Sequence, residues 1–519
     1  MVLEYRTYEE AMAKFKWSDR WALVDGSKDR LNIAHECIDR HPPNDVSIRI
    51  KFSNGNSDIY TFGELGDYSR RFANYLEDKG IEFGDKIGIL LFPSIELYVS
   101  MMGTFRMGGI AVICFPLFGP DAINFRLERS GAKAIITSKT MINLLDPDLV
   151  NKLDLQIIPA EDLLDIIKSQ SDEYSWNTDS STPCMMQFSS GTTGEPKPLV
   201  YRHGAVSATA VTMKIGNGLT PDDIYFCPSS PGWGHGIWFG TIAPLTLGKA
   251  VGTYSGKFDP EKVLEAIQDW GVTNMAGIAS HYRLLIESPK VEQYKVRLKT
   301  IVSTGEAMAR ETIEKIHKIW GIYPNVQYGT TEAGTISMDF AGIKTYVVKP
   351  GSLGSPMIGG IKVAIIDEND KEVPPGTIGQ VAVWKKDSWF KIGDSAYADQ
   401  DGYLWYTGRV DDVIISSGYT IGPIEVEGAV NQHPAVEESA VTASPDKARG
   451  DVVKAFVVLN SGYEPSETLA EEIKSLVKLK LSKHEYPREI EFVSELPKTP
   501  DGKIKRKILR ERERKHRNG

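Results

Sequence analysis

From Tyr60 to about Tyr328 the chain alternates two patterns of apolar and polar positions. TFGELGDYSRRFANYLEDKG spaces its apolar residues three and four apart, which predicts an amphipathic helix, and the apolar run KIGILLF behind it predicts a buried strand. SIELYVSMMGTFRMGG before IAVICF, and AINFRLERSGA before KAIIT, repeat that order. Helices alternating with short strands predict parallel β/α units and an open sheet covered on both faces. After Gly351 the pattern changes. IKVAIID, the polar DENDKEV and GQVAVW predict short antiparallel strands, hence a small β-rich subdomain at about 351–410. Beyond a charged break at Gly408–Asp412, IEVEGAVNQHP, SAVTASP and VKAFVVL predict a compact α+β unit of about 100 residues. The expected fold is α/β: a large N-terminal body over 1–410 and a smaller C-terminal domain over 411–519.

Composition supports this picture without sharpening it. The 519 residues are 41% hydrophobic and 25% charged, ordinary globular values that exclude a disordered or fibrous chain. No repeat of 20–50 residues is visible. The most membrane-like stretch, Leu97–Phe115, contains Arg106 and three glycines, so it reads as a buried helix, turn and strand rather than a span. The N-terminal MVLEYRTYEEAMAKFKW mixes acids and aromatics where a signal peptide needs a long apolar run. Cys37, Cys114, Cys184 and Cys227 are widely spaced, fitting neither a zinc site nor a disulfide framework. A cytoplasmic protein is expected.

Charge changes the picture more. A net charge of −9 argues against a protein built around nucleic acid and requires that a polyanionic ligand be captured locally. The charge is uneven: residues 411–495 hold 8 basic and 16 acidic residues, whereas 496–519 hold 10 and 3. That basic tail, taken alone, suits a solvated or nucleic-acid-binding face.

The strongest chemical signal is FSSGTTGEPK at Phe188–Lys197, behind the strand-like CMMQF. The hydroxyls of Ser189, Ser190, Thr192 and Thr193, the flexible backbone at Gly191 and Gly194, and the cation of Lys197 can together wrap phosphate oxygens. The Walker pattern G-x-x-x-x-G-K-[ST] is absent here.

This segment resembles the phosphate loop of the AMP-forming acyl-CoA synthetases, within the wider class of adenylate-forming enzymes. Further segments follow along the chain in that family's order, so the resemblance covers roughly Tyr60 to Arg510. Tyr328-Gly-Thr-Thr-Glu332 is similar to [YW]-G-x-T-E; the resemblance implies ATP contacts for Tyr328 and Thr330, an α-phosphate contact for Thr331, and Mg²⁺ held by Glu332. Gly305-Glu306-Ala307 resembles the element that lies along adenine and ribose. Trp389-Phe-Lys-Ile-Gly-Asp394 resembles W-[FY]-x-T-G-D, which makes Asp394 the acceptor of the ribose hydroxyls. Tyr406-Thr-Gly-Arg-Val-Asp-Asp412 implies nucleotide contacts for Tyr406 and Arg409 and a hinge at Asp411. Ser417-Gly-Tyr-Thr-Ile-Gly-Pro-Ile-Glu425 implies that Gly418 and Tyr419 line the CoA channel; Thr420 stands where the family usually has Arg, and Thr cannot replace a bidentate guanidinium. Pro497-Lys-Thr-Pro-Asp-Gly-Lys503 implies that Lys503 reaches the carboxylate and α-phosphate during adenylation.

The resemblance implies a carboxylate–CoA ligase that uses ATP, Mg²⁺ and CoA, with a mobile C-terminal domain and small-molecule partners. It implies neither nucleic acid nor a membrane span, and leaves the oligomeric state open. Its acyl pocket would be lined by Trp233, Gly234, His235, Trp238, Thr304 and Gly329. Acetate-specific members carry Trp where this chain has Gly329, so an acid longer than acetate is expected: short- to medium-chain, or hydroxylated like 4-hydroxybutyrate if His235 lines the pocket. The competing readings are an enzyme that loads a carrier protein's phosphopantetheine, and a nucleotide- or nucleic-acid-binding regulator using the basic tail.

Overall fold

The computed structural model describes residues 3–189, 196–330, 333–412, 414–416, 419–446, 450–481, 486–498 and 504–518. The chain forms two compact units: one from residues 1–305, 318–325 and 340–346, the other from 306–317, 326–339 and 347–519.

The first unit is built on two sheets. One comprises β1 (Val46–Phe52), β2 (Ser57–Thr61), β9 (Tyr225–Phe226), β10 (Val251–Ser255), β11 (Asn274–Ile278) and β12 (Thr300–Thr304). Within this unit they run in the order β12-β11-β9-β10-β1-β2, parallel except for the β1–β2 hairpin. The other comprises β3 (Lys86–Leu90), β4 (Ile110–Cys114), β5 (Ala134–Thr137), β6 (Gln156–Pro159), β7 (Pro183–Ser189) and β8 (Lys197–Arg202), in the order β6-β5-β3-β4-β7-β8. Its parallel core is the β/α alternation expected from the sequence; β8 departs from it, pairing antiparallel with β7. The reason is chain length, because a parallel return needs a crossover of a dozen or more residues and only seven separate Ser189 from Lys197.

The helices follow from local chemistry. Phe62–Asp78 starts at a reciprocal cap: Glu64 N–H donates to Thr61 Oγ1 at 3.2 Å, and Thr61 N–H donates to the Glu64 carboxylate at 2.8 Å. Its buried Phe62, Leu65, Phe72, Ala73 and Leu76 form one stripe, which packs on the helix Ile95–Arg106. The contact is close because Gly103 has no side chain; a Cβ there would meet the Phe72 ring at 2.6 Å. Residues 97–115 are that helix, a turn at Gly108 with φ +76° and the fully buried β4. Arg106, 1% exposed, donates from both Nη atoms to Asp39 at 2.7 Å, which explains a cation inside so apolar a run. Among the described residues no helix is long and apolar enough to cross a membrane.

The second unit contains β13 (Asn325–Thr330, all but its first residue), β14 (Gly334–Met338) and β15 (Ser355–Pro356), paired antiparallel. A four-stranded antiparallel sheet follows: β16 (Val363–Ile366), β17 (Gly379–Lys385), β18 (Ser388–Ala398) and β19 (Leu404–Arg409), the β-rich segment expected from the sequence. The remainder is the α+β part, with β20 (Ile414–Ser416), β21 (Tyr419–Ile421), β22 (Val436–Asp446), β23 (Gly450–Leu459) and β24 (Glu489–Phe492). Its helices are Pro423–Val430, Glu467–Lys480 and Arg506–Asn518. The last of these is the basic tail. It is not a loose charged strap: Leu509 is buried, Arg506 binds Glu427 with two bonds of 2.8 and 2.6 Å, and Arg510 and Arg512 pair with Asp412 and Glu491.

Candidate active site

The phosphate-loop motif sits on a hairpin. In the β7–β8 ladder Ser189 is opposite Lys197, which is exposed. Ser190, Gly191, Thr192, Thr193 and Gly194 lie outside the described residues, as do Thr331, Glu332, Gly418 and Lys503. The backbone of Tyr419 pairs with Ser416 in the β20–β21 hairpin, where Thr420 opposes Ile415.

The second unit brings four expected nucleotide residues together. β18 and β19 pair with Asp394 opposite Arg409, so the two side chains leave neighbouring strands at one level. Arg409 Nη1 donates to Asp394 Oδ1 at 2.8 Å, and Tyr328 Oη donates to Asp394 Oδ2 at 2.5 Å. The Tyr406 ring lies beside Tyr328, centroids 6.4 Å apart. Gly393 is required for this approach: its φ is +83°, and a Cβ would stand 2.8 Å from Arg409 Nη2.

The electrostatics are informative. Asp394 is 6% exposed, and burial raises its carboxyl above the ordinary range despite Tyr328 and Arg409, which both pull it down. Burial, then the Asp394 charge, raises the phenol of Tyr328. Arg409 stays a cation because Asp394 outweighs its partial desolvation. Each carboxylate oxygen has a second lone pair, so the pair of oxygens can still accept hydroxyl donors. A buried carboxylate with open lone pairs, held by a phenol and a guanidinium, has the chemistry to accept a pair of hydroxyl donors.

Other expected nucleotide residues take places of their own in the fold. Thr330 Oγ1 accepts from Ala333 N–H at 3.1 Å and so closes the β13–β14 turn. Gly305 follows β12 in the first unit with φ +83°, while Glu306 and Ala307 belong to the second. Asp411 lies exposed in the short turn Val410–Asp412 that leaves β19. Among the described residues no cluster of three or more His, Cys, Asp or Glu could hold a metal ion; the expected ligand Glu332 falls outside them.

The expected acyl residues divide between the units. In the first, Trp233 stands against Phe115 and Phe118, ring centroids 5.1 and 5.4 Å away, and Trp238 packs on Tyr201 at 5.2 Å within the main core. Gly234 begins a short helix facing Gln187, and Thr304 ends β12. His235 Nδ1 is 2.9 Å from Ser229 Oγ and 3.9 Å from Cys227 Sγ. Burial brings its imidazole down to about 4, so it is neutral. Gly329 lies in the second unit, where a Cβ would meet Gly334 O at 2.0 Å. The β13–β14 hairpin therefore requires glycine there for its own closure, whatever its effect on pocket size. Gln187, Ser229, His281 and Ser303 also surround His235 or adjoin its neighbours, yet no motif marks them, because they come from two strands, a loop and a helix far apart in sequence.

Comparison with known proteins agrees with the motif order. A family model described as AMP-binding enzyme matches residues 35–388, and one described as AMP-binding enzyme C-terminal domain matches 425–503. The acetyl-coenzyme A synthetase of Bacillus subtilis is 34% identical, the alignment covering 97% of this chain and 95% of that protein. The mitochondrial acyl-coenzyme A synthetase ACSM3 of Rattus norvegicus is also 34% identical, over 89% of this chain and 85% of that one. Among solved structures, an acyl-CoA synthetase from Brucella canis superposes with a TM-score of 0.75 at 34% identity, covering 99% of this chain and 100% of its own. Family models that cover most of the chain, and relatives 34% identical along nearly all of it, leave one conclusion: the chain belongs to the AMP-binding enzyme family and is an AMP-forming acyl-CoA synthetase.

Proposed function

We propose that this enzyme activates a carboxylic acid larger than acetate, first as an acyl-adenylate with release of pyrophosphate, then as a thioester of CoA with release of AMP. The observation that carries the size preference is Gly329, which contributes no side chain where acetate-specific members have an indole. The name of the Bacillus subtilis relative points to acetate for that protein; at 34% identity the acid can differ, and Gly329 favours a longer one here. Short- and medium-chain acids, plain or hydroxylated, are the proposed class.

The site residues divide the work. Asp394 accepts the ribose hydroxyls, held by Tyr328 and Arg409, while the loop Ser189–Lys197 wraps the phosphates. Lys503 neutralises charge as the carboxylate attacks the α-phosphorus. No side chain acts as nucleophile, so the rate comes from positioning and charge stabilisation. Mg²⁺, held by Glu332 and the ATP phosphates, would supply further neutralisation when bound. Thiol attack needs a different arrangement, so the C-terminal domain turns at Asp411, withdrawing Lys503 and bringing up Gly418 and Tyr419. The cytoplasm is the proposed compartment.

A panel of C2–C8 straight, branched, aromatic and hydroxylated acids, assayed for CoA-dependent AMP release, tests this reading. Activity confined to acetate would overturn the size preference. Thioester formation only on a holo-carrier protein would replace free CoA as the acceptor.

A further inference from the structure

Among the buried polar atoms of the first unit that have no hydrogen-bond partner among the described residues are Gln187 Oε1, His235 Nε2, His281 Nδ1 and Ser303 Oγ. They belong to one neighbourhood. A Cβ on Gly234 would stand 3.6 Å from Gln187 Oε1, and His235 is the next residue. His235 and His281 are close enough for each ring to feel the other, and a Cβ on Gly277 would stand 3.4 Å from His281 Nδ1. Gly277 is the ladder partner of Ser303 across the parallel β11–β12 pair, so Ser303 points to the same face as His281. His281 is fixed on its far side by Phe258, stacked at 4.6 Å and 5°.

His235, His281 and Ser303 stand at or just beyond the carboxyl ends of β9, β11 and β12, where parallel α/β sheets bind their ligands, and Gln187 joins them from β7 of the other sheet. Burial cost makes the group unusual. An unpaired buried polar group costs about 1–3 kcal/mol, and cores do not ordinarily keep four together. Leucine and serine-to-alanine replacements would remove that cost, so their absence from a core calls for an occupant.

The chemistry of the group limits that occupant. Burial lowers both imidazoles, to about 4 for His235 and about 3 for His281, where His235 adds a smaller push in the same direction; no carboxylate or guanidinium among the described residues contributes to either shift. Two neutral imidazoles, a hydroxyl and an amide offer both donors and acceptors but no charge. A distal carboxylate would lack a counter-ion, and a methyl terminus would leave all four atoms unpaired. An alcohol, which donates and accepts, satisfies them.

We propose that His235, His281, Gln187 and Ser303 are specificity-determining residues that recognise a hydroxyl at the far end of the acyl chain, making an uncharged hydroxy acid the preferred substrate. This rests on the acyl-pocket reading above and deepens it. In this structure the four atoms are closed off from solvent, so the entering acid parts the side chains and replaces their mutual shielding with its own hydrogen bonds.

The test compares isosteric pairs on the full-length enzyme: 4-hydroxybutyrate with pentanoate and 5-hydroxypentanoate with hexanoate, with succinate as the charged control, each by kcat/KM for CoA-dependent AMP release. The hydroxy acid should exceed its methyl counterpart at least tenfold and succinate by more. H281L and Q187L should each lower that ratio at least tenfold, through KM and kcat for the hydroxy acid. If H281L fails to fold, Q187L and S303A carry the same test. A wild-type preference for the methyl acids, or a ratio unmoved in folded H281L and Q187L, overturns this inference while leaving the synthetase reading intact. Absence of AMP release with every acid in the wider panel overturns the reading beneath it as well.

Discussion

Replacing Asp394 with Asn should separate nucleotide binding from stability. The carboxylate accepts from Tyr328 at 2.5 Å and Arg409 at 2.8 Å while only 6% exposed. Burial wins over both donors, leaving its pKa raised. The sign is clear: between its unfolded and folded pKa the native state binds more protons than the unfolded chain, so stability falls as Asp394 ionises. At neutral pH the charge is a burden on the fold. Asn removes that burden, can keep its carbonyl on Arg409 and can turn its amide towards the Tyr328 oxygen. D394N should therefore melt within about 2 °C of the wild type or above it, since 1 kcal/mol shifts Tm by about 2–4 °C in domains of 150–250 residues. Catalysis should suffer. Two hydroxyl donors to a carboxylate become one donor to a carbonyl and one donor facing an amide N–H, a loss of about 2–3 kcal/mol for a charge-assisted bond. At 1.36 kcal/mol per decade that is roughly a 30- to 150-fold fall in kcat/KM for ATP. Pyrophosphate release at saturating acid, with scanning calorimetry on the same sample, gives both readings. A D394N protein that melts several degrees lower and keeps wild-type kcat/KM for ATP would refute the argument and make Asp394 a structural ion-pair member.

K503A should abolish acyl-adenylate formation while sparing CoA transfer from supplied acyl-adenylate; equal loss of both half-reactions would remove Lys503 from the adenylation step. D411P should impair the two half-reactions unequally, measured by pyrophosphate release and by thioester formation from supplied adenylate, and equal effects would place the hinge elsewhere. G329A should lower Tm by several degrees, because its Cβ would overlap Gly334 O at 2.0 Å and opening the hairpin costs about 1–3 kcal/mol; an unchanged melt would mean that the hairpin relaxes freely. Burial chiefly holds His203, His235 and His281 neutral, at about 3, 4 and 3, so unfolding takes up protons below pH 6.5. Their contribution is complete above 6.5 and is lost as pH falls towards 4, with a slope approaching about 4 kcal/mol per pH unit for three protons; a Tm flat from pH 7 to 5 would contradict it.

The local elements were legible because each carries its own signal. The helix Phe62–Asp78 announces its cap and stripe in the order Thr61, Glu64, Leu65, Phe72, and Leu76. Strands such as Ile110–Cys114 announce themselves by continuous burial. Asp394 and Arg409 were legible by motif, although their pairing across β18 and β19 could be seen only in the ladder. Less was visible where chemistry depends on strands far apart in sequence. Gln187, Ser229, His281 and Ser303 are isolated polar residues in apolar surroundings, a pattern shared by many core positions. Gly329 shows the reverse difficulty: one residue, read from the sequence as an opening in the pocket, also has a backbone reason to be glycine.

The basic tail shows how composition can mislead when geometry is absent. Ten cations among the last 24 residues invite a polyanion, and a nucleic-acid face was one reading of them. In the fold four of them meet carboxylates elsewhere in the same unit. Lys498 pairs with Glu438, Arg506 with Glu427, Arg510 with Asp412 and Arg512 with Glu491, and Glu513 of the same helix accepts from Ser444 and Lys454. The segment 411–495 is acidic because the helix Arg506–Asn518 docks on it; opposite charges were separated in sequence and joined in space. One of these pairs lies beside the expected functional elements. Arg510 and Asp412 are 12% and 13% exposed, so their pairing is shielded from the salt that weakens surface bridges. Asp412 follows the expected hinge, Asp411, and the helix carrying Arg510 begins three residues after Lys503. A rotation that withdraws Lys503 must therefore either carry Asp412 with the helix or break a buried ion pair. Breaking one leaves an uncompensated buried charge and is the more expensive course. If the C-terminal domain turns as proposed, the bend is therefore expected before Asp412, at Asp411, with the charges of the tail holding the turning part together.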